Sequence, residues 1–251
     1  LEILRSFSDT RIRLIEFQNN GIIGASRNIG IAKSKGLYLA FLDSDDYWTQ
    51  EKLEQSIIHL ENGADFVYHD FYSYFDKSFQ STKTLKCRSL SNNIKHDLLI
   101  NGNPIITSSV VIRKKLFNEI NNFSDSNDLA TVEDYDAWIR FSTISNRFFY
   151  LKKTLGFYYI GESNSSNSII KQLNGTKKIL STYSEEFKNL KIKPNYLFFS
   201  IGRFYYKLGN YNLSIRNLMS LDFSKLSLKM IIKSLVFLAF SIILLPFLKK
   251  I

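Results

Sequence analysis

The chain contains, at residues 37–46, the stretch Leu37-Tyr-Leu-Ala-Phe-Leu-Asp-Ser-Asp-Asp46. Its first six residues are apolar or aromatic without interruption, which is typical of a strand buried on both faces of a parallel sheet. Asp43, Asp45 and Asp46 follow directly, so the stretch predicts an acidic turn at the carboxyl end of that strand. Ligands of open α/β sheets bind at this edge. The stretch therefore indicates both a fold class and the position of a site.

Patterns on both sides of residues 37–46 predict strands that alternate with helices, hence an α/β fold. Gly36 is expected to end the helix before the stretch, and Thr49 to cap the helix after it. That second helix is expected to bury Leu53, Ile57 and Leu60 and to end at residues 62–63. The predicted strands are residues 12–17, 37–42, 64–72, 105–112 and 148–160. The predicted helices are residues 25–35, 49–62, 114–120 and 132–142. Residues 73–103 are expected to form a loop and a short helix, and residues 161–167 a loop.

The composition excludes several classes of protein. With 45% hydrophobic and 22% charged residues, the chain is expected to be globular and ordered. Cys87 is the single cysteine and there are three histidines, which form neither a disulfide framework nor a zinc motif. The chain begins at Leu1 rather than Met, so we expect that an N-terminal part is missing. No signal-peptide pattern follows, and a cytoplasmic location is expected.

Charge divides the chain into two parts. Residues 171–251 hold 14 Lys and Arg against 3 Asp and Glu, whereas residues 1–170 hold 19 against 20. From residue 168 the patterns are helical and rich in Lys, Leu, Phe and Tyr, with a helical hairpin that bends at Gly209 and Asn210. We therefore predict a catalytic domain over residues 1–167 and a basic, all-α extension over residues 168–251.

The end of the extension suits a membrane surface better than a nucleic acid. Residues 230–248 are almost wholly apolar, close to the length of a membrane span, and lysines lie on both sides. Lys233 and Pro246 disfavour a spanning helix and favour an interfacial one. We expect attachment to an anionic membrane, at the inner face of the cell membrane, and no nucleic-acid partner. A plain packing helix with solvated lysines is the alternative.

Three carboxylates at one strand end repel each other unless a cation or hydrogen-bond donors offset their charge. Magnesium and manganese prefer carboxylate oxygens and commonly bind through one or two of them together with substrate phosphates. The acidic turn therefore indicates a divalent-metal site for a nucleotide substrate. An acidic turn that only caps the next helix is the alternative.

Two blocks of sequence closely resemble the family-two glycosyltransferases. Residues 20–36, NGIIGASRNIGIAKSKG, followed by residues 38–48, YLAFLDSDDYW, are similar to the donor-binding half of that family. Ser108-Ser109, Phe117, Phe123 and residues 132–140, VEDYDAWIR, are similar to its acceptor-side block. The resemblance covers roughly residues 10–165.

The resemblance implies a GT-A-like, Rossmann-like mixed sheet flanked by helices. It further implies transfer of a sugar, with inversion, from a nucleotide-diphosphate sugar to a glycan or lipid-linked acceptor, as in cell-surface polysaccharide synthesis. By the family's pattern Asp43 contacts the ribose or the metal, and Asp45 binds the manganese or magnesium ion that holds the diphosphate. Asp134 is then the base that deprotonates the acceptor hydroxyl. The alternative for Asp134 is a carboxylate that stabilises the first turn of a helix.

Three further residues are weaker candidates. Glu133 and Trp138 are expected on the acceptor side. Arg27 is a candidate for contact with the donor phosphates, or else for an ion pair with Asp43 or Asp46 that braces the acidic turn.

The sequence also departs from the family. The opening strand and the Asp-Asp-Gly-Ser stretch that bind the nucleotide are absent, and Tyr159 and Gly161 stand where many relatives have Arg and His. A degenerate, membrane-associated binding module and a nucleotidyltransferase are therefore alternatives to an active glycosyltransferase.

Overall fold

In the computed structural model, which describes residues 5–75, 83–161 and 168–248, six strands form one mixed sheet. The strands are β1 Tyr38–Ala40, β2 Tyr47–Trp48, β3 Phe66–Tyr74, β4 Lys83–Leu85, β5 Val111–Arg113 and β6 Phe148–Tyr159. The helices that accompany the sheet are α1 Ile23–Lys33, α2 Lys52–Glu61, α3 Ile94–Asn101, α4 Lys114–Glu119 and α5 Glu133–Phe141. The later helices are α6 Ile169–Thr182, α7 Ser184–Asn189, α8 Asn195–Lys207, α9 Tyr211–Met219 and α10 Leu228–Leu248.

The strand order is β1-β5-β3-β6-β2, with β4 on the free part of β3. The β3 and β6 strands are parallel, and the other neighbours are antiparallel. Parallel pairing fits the burial of β3, whose nine residues are all buried except the half-buried Tyr72. The predicted mixed α/β sheet is confirmed, and its edge carries the acidic turn. The burial expected for residues 37–42 on both faces of a parallel sheet is wrong: β1 lies at the end of the strand order and is antiparallel to β5, and Leu37 and Leu42 are 81% and 45% exposed.

The strand predicted at residues 12–17 is wrong. This segment is not part of the sheet, and Ile12, Leu14 and Phe17 are between 42% and 49% exposed. Alternation of apolar and charged residues stabilises a strand only where a neighbouring strand completes its hydrogen bonds. Within the described residues no strand pairs with the outer edge of β1.

The helices before and after the acidic turn differ from expectation in their ends and faces. Ser34, not Gly36, is the C-terminal cap of α1. Thr49 makes no cap for α2, which buries Lys52, Ser56 and Leu60 and leaves Leu53 46% exposed. The reason is the aliphatic stem of Lys52, which is buried while its ammonium lies 3.8 Å from the centre of the Trp48 ring. Burial lowers the pKa of Lys52 to about 7.

The strand predicted at residues 105–112 is shorter than expected. Thr107–Ser109 form a turn of 3-10 helix, and β5 begins only at Val111. The Ser109 hydroxyl donates to the Ile106 carbonyl at 2.6 Å, a local bond that competes with the strand ladder. This turn places Thr107 and Ser108 beside the acidic turn.

An aromatic cluster holds α5 against the sheet. Trp138 is fully buried among Phe41, Phe66, Phe117 and Phe123, with ring centres 4.8 to 6.3 Å apart. Replacing such a side chain with alanine costs about 3–5 kcal/mol. The cluster therefore fixes the helix whose first turn carries the predicted base.

The chain after residue 168 is helical, as predicted. The hairpin of α8 and α9 bends where expected, because Gly209 has φ +73° and the Asn210 side chain caps α9 by accepting from the Leu213 N–H at 3.2 Å. The division into domains at residues 167 and 168 stays a prediction, and residues 162–167 of the predicted loop lie outside the described residues.

The α10 helix covers its neighbours with one face only. A hydroxyl pair, Ser214 and Ser241 at 3.0 Å, joins it to α9, and Phe237 packs on Phe199 and Tyr206. The segment Leu228–Leu245 has a mean hydropathy of 2.3 and is long and apolar enough to cross a membrane, and only 11% of it is buried. Its exposed apolar side chains are Leu228, Ile232, Leu235, Val236, Phe240, Ile242 and Ile243.

Candidate active site

Ser108 fixes the acidic turn to the neighbouring strand. The Asp43 N–H donates to the Ser108 hydroxyl at 3.0 Å, and the Trp48 indole N–H donates to the Ser108 carbonyl at 2.7 Å. Inside the turn, the Asp46 N–H donates to the Asp43 carbonyl at 3.1 Å. The turn is therefore held at both ends by one residue of the 3-10 segment.

The carboxylates of the turn have different surroundings. Asp43 and Asp45 line an open cleft of about 610 Å³. Asp46 is buried, accepts a hydrogen bond from the Tyr159 N–H at 3.1 Å, and has a second oxygen with no partner within the described residues. Burial raises the pKa of Asp46 to about 7, against hydrogen bonds from Ser108 and Tyr159. Asp46 thus ties the turn to β6, and the other two acids face the cleft.

Arg27 joins the two halves of the site. Its guanidinium donates to Asp43 and to Glu133, each at 2.7 Å, and its side chain is only 13% exposed. The guanidinium also lies 5.3 Å from the centre of the Phe123 ring. Of the contacts considered for Arg27, the structure contains the ion pair with Asp43 and not one with Asp46.

Asp134 stands at the start of α5 on the wall of the same cleft. One oxygen accepts from the Thr107 hydroxyl at 2.9 Å and from the Asn103 amide at 3.3 Å, and the other accepts from the Tyr135 N–H at 2.7 Å. Burial, and next the neighbouring Glu133 charge, raise the pKa of Asp134 to about 6, against the charge of Arg27 and the Thr107 hydrogen bond. A carboxylate with that pKa changes charge close to neutral pH.

The cleft brings together residues that are far apart in the sequence. Arg27, Asp43, Asp45, Glu133 and Asp134 all line it. Trp138 does not, because its ring is fully buried in the aromatic cluster, so its expected position on the acceptor side is wrong. Its helical spacing from Asp134 places it one turn further along α5, under the sheet.

The acidic residues of the cleft fit a divalent cation only if other molecules supply the remaining ligands. Among the described residues, no hydrogen bond or ion pair engages the Asp45 carboxylate, and its main-chain carbonyl accepts from the Tyr74 hydroxyl. A free carboxylate beside a cleft is a suitable ligand for magnesium or manganese. Residues 5–75, 83–161 and 168–248 contain no group of three or more acidic, His or Cys side chains that would hold a metal alone. The remaining ligands would be donor phosphates and water.

The architecture defines the class of protein. A mixed sheet flanked by helices, with an acidic turn after an edge strand and a helical region at the C-terminal side, is a GT-A fold. A crystal structure of S. aureus TarS residues 1–349 in complex with UDP-GlcNAc shares it, with a TM-score of 0.52 and 13% identity over 80% of this chain and 62% of that chain.

Sequence comparison gives the family. The chain belongs to glycosyl transferase family 2, whose model matches residues 1–142. An uncharacterized glycosyltransferase of Methanocaldococcus jannaschii is 26% identical over 203 residues, 79% of this chain and 68% of that protein. The UDP-Glc:alpha-D-GlcNAc-diphosphoundecaprenol beta-1,3-glucosyltransferase WfaP of Escherichia coli is 31% identical over 140 residues, 55% of this chain and 51% of WfaP. The chain thus spans about half to two thirds of these relatives, and the expected family is confirmed.

Proposed function

We propose that this protein transfers a sugar, with inversion, from a nucleotide-diphosphate sugar to a hydroxyl of a glycan or lipid-linked acceptor. One observation carries the proposal. The free carboxylate of Asp45 and the weakly acidic Asp134 come from distant parts of the sequence and line the same cleft. An inverting transfer needs these two functions, one for the leaving diphosphate and one for the incoming hydroxyl.

The reaction follows from the roles of these groups. The acceptor oxygen forms a bond to the anomeric carbon while the bond from that carbon to the diphosphate oxygen breaks. The electron pair leaves with the nucleoside diphosphate, and the acceptor proton goes to Asp134. Because its pKa is about 6, Asp134 is mostly ionised at neutral pH and still basic enough to take the proton.

Arg27 and Glu133 support both functions without contact to a reacting atom. The guanidinium holds Asp43 at the donor side and Glu133 beside the base. The positive charge of Arg27 also opposes the rise in the pKa of Asp134. Without Arg27, the carboxylates of Glu133 and Asp134 would lie side by side at the buried start of α5 with no positive charge beside them.

Asp45, with Asp43 beside it, would hold the divalent ion, manganese or magnesium, together with the donor phosphates. That ion, when bound, supplies positive charge to the diphosphate as it leaves. Asp43 has one oxygen engaged by Arg27, so Asp45 is the main protein ligand in this proposal.

The names of the relatives support the substrate classes. WfaP is named for a UDP-sugar donor and a diphosphoundecaprenol-linked acceptor, and TarS was crystallised with UDP-GlcNAc. A nucleotide-sugar donor and a lipid-linked acceptor are therefore the first candidates for this chain.

We further propose that residues 168–251 attach the enzyme to the cytoplasmic face of an anionic membrane. The apolar side of α10 is exposed and continuous, and Lys229 and Lys233 are exposed at its border. Each lysine close to an anionic surface contributes about 1 kcal/mol, and the buried apolar side chains add to it.

The reaction is tested on the full-length protein with a panel of nucleotide sugars and manganese, by following release of the nucleoside diphosphate. We expect Asp45→Asn and Asp134→Asn to lose turnover, with donor affinity reduced only in Asp45→Asn. Asp125→Asn is the matched control, because Asp125 is exposed and lies outside the cleft. Unchanged turnover in Asp134→Asn would show that another group is the base.

A further inference from the structure

Asp134 also borders a second cavity, whose lining does not include Asp43 or Asp45. This second cavity has a volume of about 230 Å³ and shares Thr131 and Asp134 with the cleft. Helices α6 and α8 of the C-terminal extension provide much of its remaining wall, through Gln172, Thr176, Tyr196, Ser200, Arg203 and Phe204. The extension therefore approaches the candidate base directly.

Close contacts at two glycines fix this wall. A Cβ atom on Gly175 of α6 would lie 2.6 Å from a methyl group of Val132, immediately before α5. A Cβ atom on Gly102 would lie 2.4 Å from the Tyr196 ring of α8. A side chain at either position would force Val132 or Tyr196 to shift, so these helices pack closely beside the second cavity.

Two residues that line the second cavity have buried polar atoms without partners in the described chain. The Nε–H of Arg203 and the hydroxyl of Thr131 are both buried and unpaired within the described residues. Thr131 has φ +75°, a left-handed conformation that a β-branched residue rarely adopts. Unpaired buried donors are costly, and strained residues cluster at active sites and ligand clamps.

Arg203 determines the charge of that ligand. In the described part of the chain no carboxylate pairs with its guanidinium, which lies 5.3 Å from the Phe204 ring. A guanidinium binds phosphate through two parallel hydrogen bonds. Asp134, a carboxylate suited to a hydroxyl, lines the same cavity. A ligand with an anionic group and a hydroxyl matches both residues.

We propose that the second cavity binds the acceptor, a sugar that carries a phosphate or diphosphate, with the anion at Arg203 and the reacting hydroxyl at Asp134. This inference rests on the proposed function. The donor occupies the cleft, the acceptor occupies the second cavity, and Asp134 stands between them. Tyr196 and Phe204 provide apolar surface for the sugar ring.

The test measures binding by titration calorimetry on the full chain with saturating UDP and manganese, so that the cleft is filled. The probes are the 1-phosphates of glucose, galactose and N-acetylglucosamine, their neutral methyl glycosides, and a decyl diphosphate glycoside in detergent. We expect at least one sugar phosphate to bind about tenfold more tightly than its methyl glycoside. Arg203→Gln should remove that difference, and Arg203→Lys should keep part of it.

Arg216→Gln is the matched control, because Arg216 is exposed on α9 of the same extension and does not line the second cavity. Arg203→Gln is expected to fold, since no contact of its Nε within the described chain is lost, and an unchanged thermal midpoint checks this. A loss shared by the sugar phosphate and the decyl diphosphate identifies the phosphate as the recognised group. A loss confined to the decyl compound identifies a lipid headgroup.

Three results would overturn the inference: no sugar phosphate binds, Arg203→Gln binds the sugar phosphate as tightly as wild type, or the sugar phosphate binds only when UDP is left out. Failure of the proposed function looks different. In that case the sugar phosphate still binds through Arg203, but no nucleotide sugar is consumed and Asp134→Asn changes nothing.

Discussion

Removing the Thr107 hydroxyl is expected to raise the pKa of Asp134. The hydroxyl donates to the Asp134 carboxylate at 2.9 Å, and such a bond favours the ionised form. Hydrogen bonds to charged groups contribute about 1.5–3 kcal/mol. Because the Asn103 amide and the Tyr135 N–H still donate to Asp134 in Thr107→Val, we take the lower end, which corresponds to about one pKa unit.

Because the pKa of Asp134 is expected to rise, the two proteins should differ in turnover on the acidic side of the pH profile. The wild-type pKa of Asp134 is about 6, and in Thr107→Val we expect about 7. At pH about 6.5 the ionised fraction of Asp134 then falls from about three quarters to about one quarter, whereas above pH about 8.5 it is nearly complete in both proteins. Turnover should therefore fall about threefold at the lower pH and be equal at the higher pH.

Two measurements follow the change. One is the acidic limb of the pH profile of nucleoside diphosphate release. The other is a ¹³C NMR titration of the Asp134 carboxyl, assigned by its absence in Asp134→Asn, which requires no activity. Thr107→Ser keeps the hydroxyl and should keep the wild-type profile. An acidic limb in Thr107→Val that stays in place or moves to lower pH would refute the reasoning.

The remaining predictions concern stability, metal and membrane. Asp134→Asn should raise the free energy of unfolding by on the order of 2 kcal/mol at neutral pH, because a folded pKa of about 6 means that ionisation opposes folding. The difference in free energy of unfolding between Asp134→Asn and wild type should grow between pH about 4 and 6 and then level off. Urea unfolding that gives the same difference across that pH range would contradict this expectation. Activity should require a divalent metal bound by Asp45. Full activity in excess chelator would refute this requirement. Lys229→Glu with Lys233→Glu should weaken binding to phosphatidylglycerol vesicles more than tenfold, unlike Lys188→Glu with Lys191→Glu. If α10 lies on the membrane surface, high salt should release the protein from the vesicles. If α10 inserts into the membrane, only detergent should release it. A protein that does not bind the vesicles at low salt refutes both modes of attachment.

Local patterns were sufficient for most of the sheet and for the acidic turn. The apolar run before Asp43 predicted a strand, and β1 forms within it. Its position at the sheet edge was not predicted, because an apolar run does not show which strands lie beside it. Local patterns also predicted α5 and β6. They failed at residues 12–17, where a strand depends on a partner that the local sequence does not contain, and at α2, where the long stem of Lys52 replaces Leu53 on the buried face.

The surroundings of the acids could not be predicted in the same way. Asp43, Asp45 and Asp134 were identified by their place in two blocks of sequence. Asn103 and Thr107 carry no motif: Asn103 reaches Asp134 from the segment after α3, and Thr107 from the 3-10 turn. Arg203 was missed for a similar reason. Its importance comes from a lack of partners in a space enclosed by α6 and α8, and only packed coordinates reveal such a space.

Because its contacts join distant segments of the chain, this site depends on the tertiary structure of the sheet. The Arg27 to Glu133 bond joins residues 106 positions apart, and the Asp43 to Ser108 bond joins residues 65 apart. β3 and β6, which enclose the region, are themselves paired across about 80 positions. No partly folded chain can therefore carry a competent cleft. Amide hydrogens of the acidic turn should exchange through cooperative opening of the sheet rather than by fraying, and a destabilising substitution anywhere in that sheet should reduce activity in proportion to the unfolded population.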